Sequence, residues 1–192
     1  MLSYELVKRV LDILFACLLL PISLLLSVFI IIGIKLTSKG PAIFWSKRVG
    51  RHRNCFMMAK FRSMHNNAPL VATPYLKNPE LYITNIGAFL RKTKLDEIPQ
   101  IYNVLRGEMS FVGPRPLADI EDEQGIIKAR FDANIYSLRP GITGLAQAYE
   151  FRKEAFSEEK KLRKDKLYLK KISFKLDIYI LGQTVCKMLR LK

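Results

Sequence analysis

The apolar positions divide the chain into one long uncharged run and an amphipathic remainder. Residues 13–34 form a run of 22 residues without a charged side chain. As a helix this run is about 33 Å long, which matches the hydrocarbon core of a membrane. It is too long for the apolar part of a signal peptide, and no A-x-A cleavage site follows it. The pattern therefore predicts a membrane-inserted helix.

The run has two features that bear on how it enters the membrane. Pro21 lies inside it, and a proline removes a helical hydrogen bond and clashes with the preceding turn. Lys8 and Arg9 precede the run, and Lys35 and Lys39 follow it, so both flanks carry the positive charge typical of cytoplasmic segments. These residues leave two arrangements open, a kinked helix that returns to the same leaflet and a plain single span. Either arrangement places the rest of the chain on one side.

After the run, the spacing of apolar residues predicts an α+β fold, a small mixed α/β domain with short strands and surface amphipathic helices. Lys60 and Arg62 occupy alternate positions of a predicted strand, which would deliver both cations to one face. The predicted strands cover 42–45 and 55–64, and the predicted helices cover 84–91, 97–105, 119–131, 151–171 and 176–189. A basic turn is predicted over 47–53, and loops are predicted over 66–79, 113–116 and 139–144.

The charge is strongly basic and unevenly distributed. The chain has 192 residues with 32 Lys+Arg against 17 Asp+Glu, a net charge of +15. Residues 35–65 carry eight basic side chains and no acidic one, and residues 151–192 carry thirteen against five. The balance excludes an acidic disordered chain, and three scattered cysteines exclude a disulfide-stapled secreted module. Nucleic acid, an anionic membrane face and phosphorylated substrates are the partners that such a protein attracts.

Two adjacent carboxylates, Asp96 and Glu97, stand at a predicted helix start in the string KTKLDEIPQ. The ordinary interpretation is a helix N-terminus, where acidic side chains are stabilised by the helix dipole and by free N–H groups. The catalytic interpretation is that one carboxylate is a nucleophile, or that both bind Mg²⁺ beside a diphosphate. The string by itself is compatible with both.

Cations on constrained segments are candidate phosphate ligands. Arg115 lies between two prolines and Arg139 precedes Pro140-Gly141, so less conformational entropy is lost in holding their guanidinium groups. Together with Lys60 and Arg62 and the carboxylate pair, they predict a diphosphate-plus-metal site. The chain contains neither G-x-x-x-x-G-K nor G-x-G-x-x-G, so a nucleotide would have to be bound in another way.

Five strings resemble, in their order, those of the bacterial sugar transferases, the small monotopic phosphoglycosyl transferases that act on polyprenol phosphate. The resemblance extends from residue 8 to about residue 189, and L-D-E-x-P-Q and M-S-F-V-G-P-R-P are its most specific parts. The strings are KRVLDILFACLLLPISLLL, GPAIFWSKRVGRHRNCFMMAKFRSM, LRKTKLDEIPQIYNVLRGEMSFVGPRPL, LRPGITGLAQ and YLKKISFKLDIYIL.

The resemblance implies an enzyme that transfers a phospho-sugar from a UDP-sugar to undecaprenyl phosphate, with release of UMP, in glycoconjugate biosynthesis. It implies that Asp96 is the nucleophile of a covalent phospho-sugar intermediate, in a dyad with Glu97 beside Mg²⁺. Five cations are then expected to bind substrate phosphates, namely Lys60, Arg62, Arg91, Arg115 and Arg139. The segment containing Gln147 and Tyr149, where the chain departs from the family's frequent sequence, is expected to contact the sugar or nucleotide.

The same resemblance implies a re-entrant helix broken at Pro21, although leucine precedes this proline where the family has serine and Ser23 follows it. Residues 1–39 would then be the membrane anchor, and residues 40–192 a catalytic domain on the cytoplasmic face of the bacterial inner membrane. Anionic lipid headgroups become the expected partner of the basic blocks, and nucleic acid is no longer needed. The alternatives are a non-catalytic membrane-anchored binder of lipid or nucleic acid, and an enzyme with a hydroxyl acceptor.

Overall fold

The structure is a computed structural model that describes residues 2–69, 76, 78–149 and 157–190. These ranges contain a mixed fold of helices and strands with one long apolar helix at the N-terminal end, as predicted. The helices are α1 (Leu2–Thr37), α2 (Asn85–Thr93), α3 (Gln100–Leu105), α4 (Gln124–Asp132), α5 (Leu145–Tyr149), α6 (Glu158–Lys171) and α7 (Phe174–Arg190). The strands are β1 (Ile43–Val49), β2 (Cys55–Phe61), β3 (Ser110–Val112), β4 (Leu117–Ala118) and β5 (Gly141–Thr143).

Strands β1 and β2 form an antiparallel hairpin, and β4 adds to β1 so that the sheet has the order β2-β1-β4. The register pairs Phe44 with Lys60, so Arg48, four residues after Phe44, shares a face with Lys60. The prediction of a basic turn over 47–53 is wrong in its first part, because β1 continues to Val49. Strands β3 and β5 form a separate parallel pair, in which β5 lies within the loop predicted over 139–144 and β3 lies just before the loop predicted over 113–116.

Helix α1 contacts the rest of the protein through one narrow stripe of its own surface. The stripe consists of five buried side chains spaced by three to four residues or multiples of this, namely Asp12, Ala16, Ser23, Ile30 and Ile34. The opposite face is exposed and apolar, with Leu18 at 69% and Leu25 at 63% exposure. The helix has 36 residues and a length of about 54 Å, and its segment 4–37 is long and apolar enough to cross a membrane.

Both ends of α1 contact the same domain. Near the N-terminal end, the Lys8 Nζ lies 2.6 Å from Asp177 of α7, and Arg9 donates to the carbonyl of Val104 at 2.6 Å. At the other end, Ile34 packs in a cluster with Leu90 of α2. Just beyond the helix, the carbonyl of Ser38 accepts from a guanidinium of the domain at 3.0 Å. The domain therefore contacts α1 on both sides of Pro21.

The helix continues through Pro21, and serine hydroxyls bond to its backbone nearby. Pro21 supplies no N–H to the carbonyl of Cys17. The Ser23 hydroxyl donates to the carbonyl of Leu20 at 2.8 Å, and the Ser27 hydroxyl donates to the carbonyl of Ser23 at 2.6 Å. Such back-bonding often bends helices. A serine after the proline, rather than before it, makes this contact here.

The main core lies between α1, the β1–β2 hairpin, α3, β3 and the C-terminal helices. Phe56, Met58, Val104, Met109 and Ile180 are among its buried members. The amphipathic helix predicted over 176–189 is confirmed within α7. The helix predicted over 151–171 is observed from Glu158 onward, and residues 151–156, like half of the loop predicted over 66–79, lie outside the described residues.

Candidate active site

The dyad lies in a short 3-10 turn between α2 and α3. Helix α2 ends at Thr93, its C-cap residue Lys94 has a left-handed backbone with φ of 60°, and the turn covers Leu95–Glu97. Helix α3 follows, with Pro99 at its N-cap position. The predicted position of Asp96 just before a helix start is confirmed. Asp96 is only 7% exposed, so the turn points this carboxylate inward.

Glu97 is held by two cations from other elements. Its Oε1 lies 2.9 Å from the Nζ of Lys60 on β2 and 3.9 Å from a guanidinium nitrogen of Arg115. Burial raises the pKa of Glu97, but Lys60, Arg115 and Lys94 together outweigh burial, and the pKa lies below its ordinary value. Burial lowers the pKa of Lys60, and the negative charge of Glu97 opposes this lowering. Glu97 is therefore a fixed anion between cations.

Asp96 is in a different environment. Its Oδ1 is buried and has no hydrogen-bond partner among the described residues. Burial raises the pKa of Asp96, and Lys60, Lys94 and Arg91 oppose the rise. A buried polar atom without a partner is costly and marks a place where a ligand is missing or a function is served. The two neighbouring carboxylates thus differ, one engaged in ion pairs and one with an available oxygen.

Arg48 is a site residue that the sequence reasoning missed. Burial lowers its pKa, the neighbouring Arg115 lowers it further, and Glu123 and Glu97 oppose the shift, so Arg48 lies near the charged groups around Glu97. Its Nε donates to the hydroxyl of Ser46 at 3.2 Å. The signal that would have found it is strand alternation, because Arg48 and Lys60 share a face of the hairpin once β1 is extended to Val49.

Arg91 is brought to Asp96 by the packing of α2. Its Nε donates to the hydroxyl of Ser63 at 2.8 Å, and the charge of Asp96 opposes the lowering of its pKa by burial. The approach of α2 to this segment requires Gly87, because a Cβ at that position would overlap the backbone of Ser63. Arg91 is therefore near enough to Asp96 to interact with its charge, and its role as a phosphate ligand stays a prediction.

Two of the predicted phosphate ligands are engaged elsewhere. Arg62 is buried and donates to Ser38, where the chain leaves α1, and to Asn66 at 3.1 Å. Arg139 donates to the carbonyl of Gly107 at 3.1 Å. Burial lowers the pKa of Arg139, and Arg51 and Arg9 lower it further, so its charged neighbours are at the N-terminal end of α1. The structure does not bring Arg62 or Arg139 into contact with the dyad.

Gln147 and Tyr149 lie on α5, which packs between α6 and α7. The Gln147 side-chain nitrogen donates to the carbonyl of Ile142 at 3.2 Å, and its oxygen is buried without a partner among the described residues. Tyr149 is half-exposed, and the Lys164 ammonium lies 3.8 Å from its ring centroid. No contact of either side chain with the dyad is present in the described part of the chain, so their role stays a prediction.

The side chains of the dyad are the candidate ligands of the expected Mg²⁺. The dyad offers only oxygen atoms, which this cation prefers, and Oδ1 of Asp96 is buried without a partner in the described ranges. No group of three or more His, Cys, Asp or Glu side chains that could hold a metal ion occurs among the described residues. One or two carboxylates completed by water and substrate phosphates are a usual Mg²⁺ arrangement. The residues present therefore fit a Mg²⁺ held by Asp96 and Glu97.

Comparisons with known proteins agree on one family. The model of the bacterial sugar transferase family matches residues 3–191. A UDP-N-acetylgalactosamine-undecaprenyl-phosphate N-acetylgalactosaminephosphotransferase of Aeromonas hydrophila is 35% identical over 189 residues, which is 95% of this chain and 43% of that protein. A UDP-glucose:undecaprenyl-phosphate glucose-1-phosphate transferase of Klebsiella pneumoniae is 39% identical over 94% of this chain and 39% of its own length.

A shorter relative is similar along most of its length. The UDP-glucose:undecaprenyl-phosphate glucose-1-phosphate transferase of Caulobacter vibrioides is 36% identical over 97% of this chain and 71% of its own length. The chain thus spans about two fifths of the Aeromonas and Klebsiella relatives and most of the Caulobacter one. Because the family model covers nearly the whole sequence and the identities exceed a third, the chain belongs to the bacterial sugar transferase family.

Proposed function

We propose that the protein transfers a phospho-sugar from a UDP-sugar to undecaprenyl phosphate, giving a polyprenyl diphosphate-linked sugar and UMP. The observation that carries this proposal is the buried Asp96, with a partnerless oxygen, next to a cluster of cations that extends from Arg91 through Lys60 to Arg115. A free carboxylate oxygen among fixed cations suits attack on a phosphorus atom between anionic oxygens. The substrate classes are those for which the related transferases are named.

The proposed reaction consists of two successive displacements at the sugar-side phosphorus. Asp96 attacks the sugar-side phosphorus, the bond to the bridging oxygen breaks, and UMP leaves with that oxygen. The phosphate oxygen of undecaprenyl phosphate then attacks the same phosphorus, and the bond to Asp96 breaks, which restores the carboxylate. Lys60, Arg115 and Arg48 neutralise the charge that gathers on the phosphate oxygens in both steps. When bound, Mg²⁺ would add Lewis-acid stabilisation of the diphosphate.

An assay of UMP release tests this function. The protein in detergent or in vesicles is expected to release UMP from at least one UDP-sugar of a panel that includes UDP-glucose and UDP-N-acetylgalactosamine. Sustained turnover is expected only when undecaprenyl phosphate is present, because the second displacement frees Asp96. Undecaprenol, with a hydroxyl instead of the phosphate, is the matched control acceptor. Turnover with undecaprenol, or no release from any sugar nucleotide, contradicts the proposal.

We further propose that α1 is re-entrant and that the domain lies on the cytoplasmic face of the inner membrane. Support comes from the contacts at both ends of α1, because a helix that crossed the bilayer could not pack along the same polar domain on both sides of Pro21. Lys8 and Arg62 hold the two ends through Asp177 and Ser38. The bend would lie near Pro21, which supplies no N–H to the carbonyl of Cys17 and is followed by the back-bonded hydroxyls of Ser23 and Ser27.

The C-terminal helices suit the headgroup region. The exposed side of α7 carries apolar residues at helical spacing, including Phe174, Ile178, Val185 and Leu189. The preceding helix α6 has the sequence EEKKLRKDKLYLKK, and its last turn contains Lys170 and Lys171. Apolar side chains next to a basic helix are typical of an anionic membrane surface.

Site-specific labelling tests the topology. In a background with the three native cysteines replaced by serine, single cysteines are placed at Val7 and Lys39, both of which are exposed. A membrane-impermeant maleimide is expected to label both in inverted inner-membrane vesicles and neither in intact spheroplasts. Leu25→Cys, in the middle of the apolar run, is the control and should react only after detergent is added. Labelling of the two flanks from opposite sides contradicts the re-entrant arrangement.

A further inference from the structure

Asn103 is a buried amide on the helix that directly follows the dyad. Its side chain is 0% exposed and makes three hydrogen bonds. Its Oδ1 accepts from the backbone N–H of Ala59 at 3.0 Å. Its Nδ2 donates to the carbonyl of Met57 at 2.8 Å and to a carboxylate oxygen of Glu108 at 2.6 Å. The proposed reaction assigns no role to this residue.

The two backbone bonds imitate a neighbouring strand. The sheet order β2-β1-β4 places β2 at an edge, so one side of β2 has no strand partner. Ala59 and Met57 are two residues apart, and therefore their N–H and C=O groups point to the same edge. The Asn103 amide offers one acceptor and one donor at this edge, which is what a further strand would offer. Without the amide, these buried groups would lack partners.

The orientation of the amide is fixed by its third bond. Glu108 accepts from Nδ2 and is itself paired with the Nε of Arg106 at 3.2 Å. Turning the amide over would place its oxygen against Glu108 and the carbonyl of Met57, and its nitrogen against an N–H. All three contacts therefore require the same orientation.

The same bonds join the two halves of the site. Lys60 directly follows Ala59 on β2, and its Nζ lies 2.9 Å from Glu97. Asn103 lies six residues after Glu97, on α3, which directly follows the dyad turn. We propose that Asn103 is a positioning residue, whose side-chain amide docks the dyad segment on β2 and so holds Lys60 against Glu97. This inference rests on the proposed function for its effect on catalysis, but the docking itself does not depend on that function.

A double-mutant cycle with Lys60 separates positioning from general stability. Asn103→Leu has nearly the same shape and removes all three hydrogen bonds. It is expected to lower kcat/KM for UMP release about 100-fold in the wild-type background, the usual cost of a displacement near 1 Å. In a Lys60→Met background the same change should cost less than about threefold, because the contact it supports is already absent. Equal losses in both backgrounds would overturn the inference.

The control is a buried hydroxyl away from the dyad. Ser110 is 0% exposed, and its Oγ donates to Oδ1 of Asp12 at 3.0 Å. Ser110→Ala is expected to produce the same fold-change in the wild-type and Lys60→Met backgrounds. If Asn103→Leu does not fold, Asn103→Asp replaces it in the cycle, since aspartate keeps the shape and the acceptor for Ala59 while losing the donor to Met57. A second change, Glu108→Gln, is expected to restore only part of the lost activity, because the new amide can donate to the aspartate while the carbonyl of Met57 stays without a donor.

Amide hydrogen exchange reports the docking without any assay of activity. Asn103→Asp is expected to increase exchange in the peptides that cover β2 and the dyad turn, while Ser110→Ala leaves both unchanged. If the wild-type protein releases no UMP but this increase is seen, the proposed function fails and the docking role stands. If UMP is released and exchange in both peptides is unchanged in Asn103→Asp, the inference is overturned and the function stands.

Discussion

Asp96→Asn is expected to lower the rate of UMP release on the order of 10³-fold or more. The amide has the shape of the carboxylate but is not a nucleophile, so the first displacement cannot begin. Lys60 and Arg115 keep their contacts with Glu97, because these contacts do not involve Asp96. Binding of the sugar nucleotide should therefore survive, and the loss should appear in kcat. Single-turnover measurements with radiolabelled UDP-sugar are suited to the low residual rate.

The same substitution is expected to leave the protein as stable as the wild type or more stable. Burial raises the pKa of Asp96, so the folded state binds its proton more tightly than the unfolded state does. For a carboxyl group with a raised pKa, the ionised form lowers folding stability above the unfolded pKa. Asparagine removes this cost at neutral pH. A thermal midpoint equal to or above that of the wild type, together with lost activity, would show a site that is optimised for chemistry rather than for stability.

Asp122→Asn is the matched control, since it makes the same chemical change at an exposed carboxylate outside the site. It should retain full activity. Acid-quenched wild-type protein incubated with UDP-sugar alone is expected to carry a phospho-sugar on the peptide that contains Asp96, and the Asp96→Asn protein should carry none. Retention of more than a few per cent of activity by Asp96→Asn, or labelling at another residue, would remove Asp96 from the role of nucleophile.

The general architecture could be predicted because it depends on local pattern. An uncharged run long enough for a bilayer, the alternation around Lys60, and the start of a helix after Asp96 are all properties of neighbouring residues. The extent of α1 could not be predicted in the same way. Its first turns lie outside the uncharged run and include Glu5, Lys8 and Arg9, whose side chains contact the folded domain.

The composition of the cation cluster depends on contacts that the sequence does not reveal. Alternation predicts Lys60 and Arg62 on one face, but β2 ends at Phe61. Arg62 donates to Ser38 at the end of α1, and Lys60 is directed to the dyad. Arg139 lies on a constrained loop as expected, but the loop leads to the opposite end of α1. The place of Arg48 near the dyad was not predicted, because β1 continues to Val49 through residues that were predicted as a turn. In each case the partner is distant in sequence.

Breaking the buried ion pair between Arg130 and Asp165 is expected to have the largest effect on stability. A terminal guanidinium nitrogen of Arg130 lies 2.6 Å from Oδ2 of Asp165, and the two side chains are only 3% and 2% exposed. The other terminal nitrogen of Arg130 donates to the carbonyl of Arg115 at 2.7 Å, so the pair also fixes the turn that carries this cation. Arg130→Met would leave a buried carboxylate without its partner. Removing one partner of such a pair costs about 3–5 kcal/mol, which lowers the thermal midpoint by on the order of 10 °C.

The expected pattern across a set of variants identifies the cause. Arg130→Met and Asp165→Leu should each destabilise strongly, whereas the double variant should recover most of the loss, because two apolar side chains of similar volume replace a pair whose desolvation is expensive. Burial raises the pKa of Asp165 and Arg130 opposes the rise, in agreement with that expense. The exposed pair of Lys47 and Asp119 is the control, and Lys47→Met should not change the thermal midpoint measurably. A double variant as unstable as the sum of the single variants would mean that the two side chains act through separate contacts, and that the carbonyl of Arg115 rather than Asp165 is the partner on which Arg130 depends.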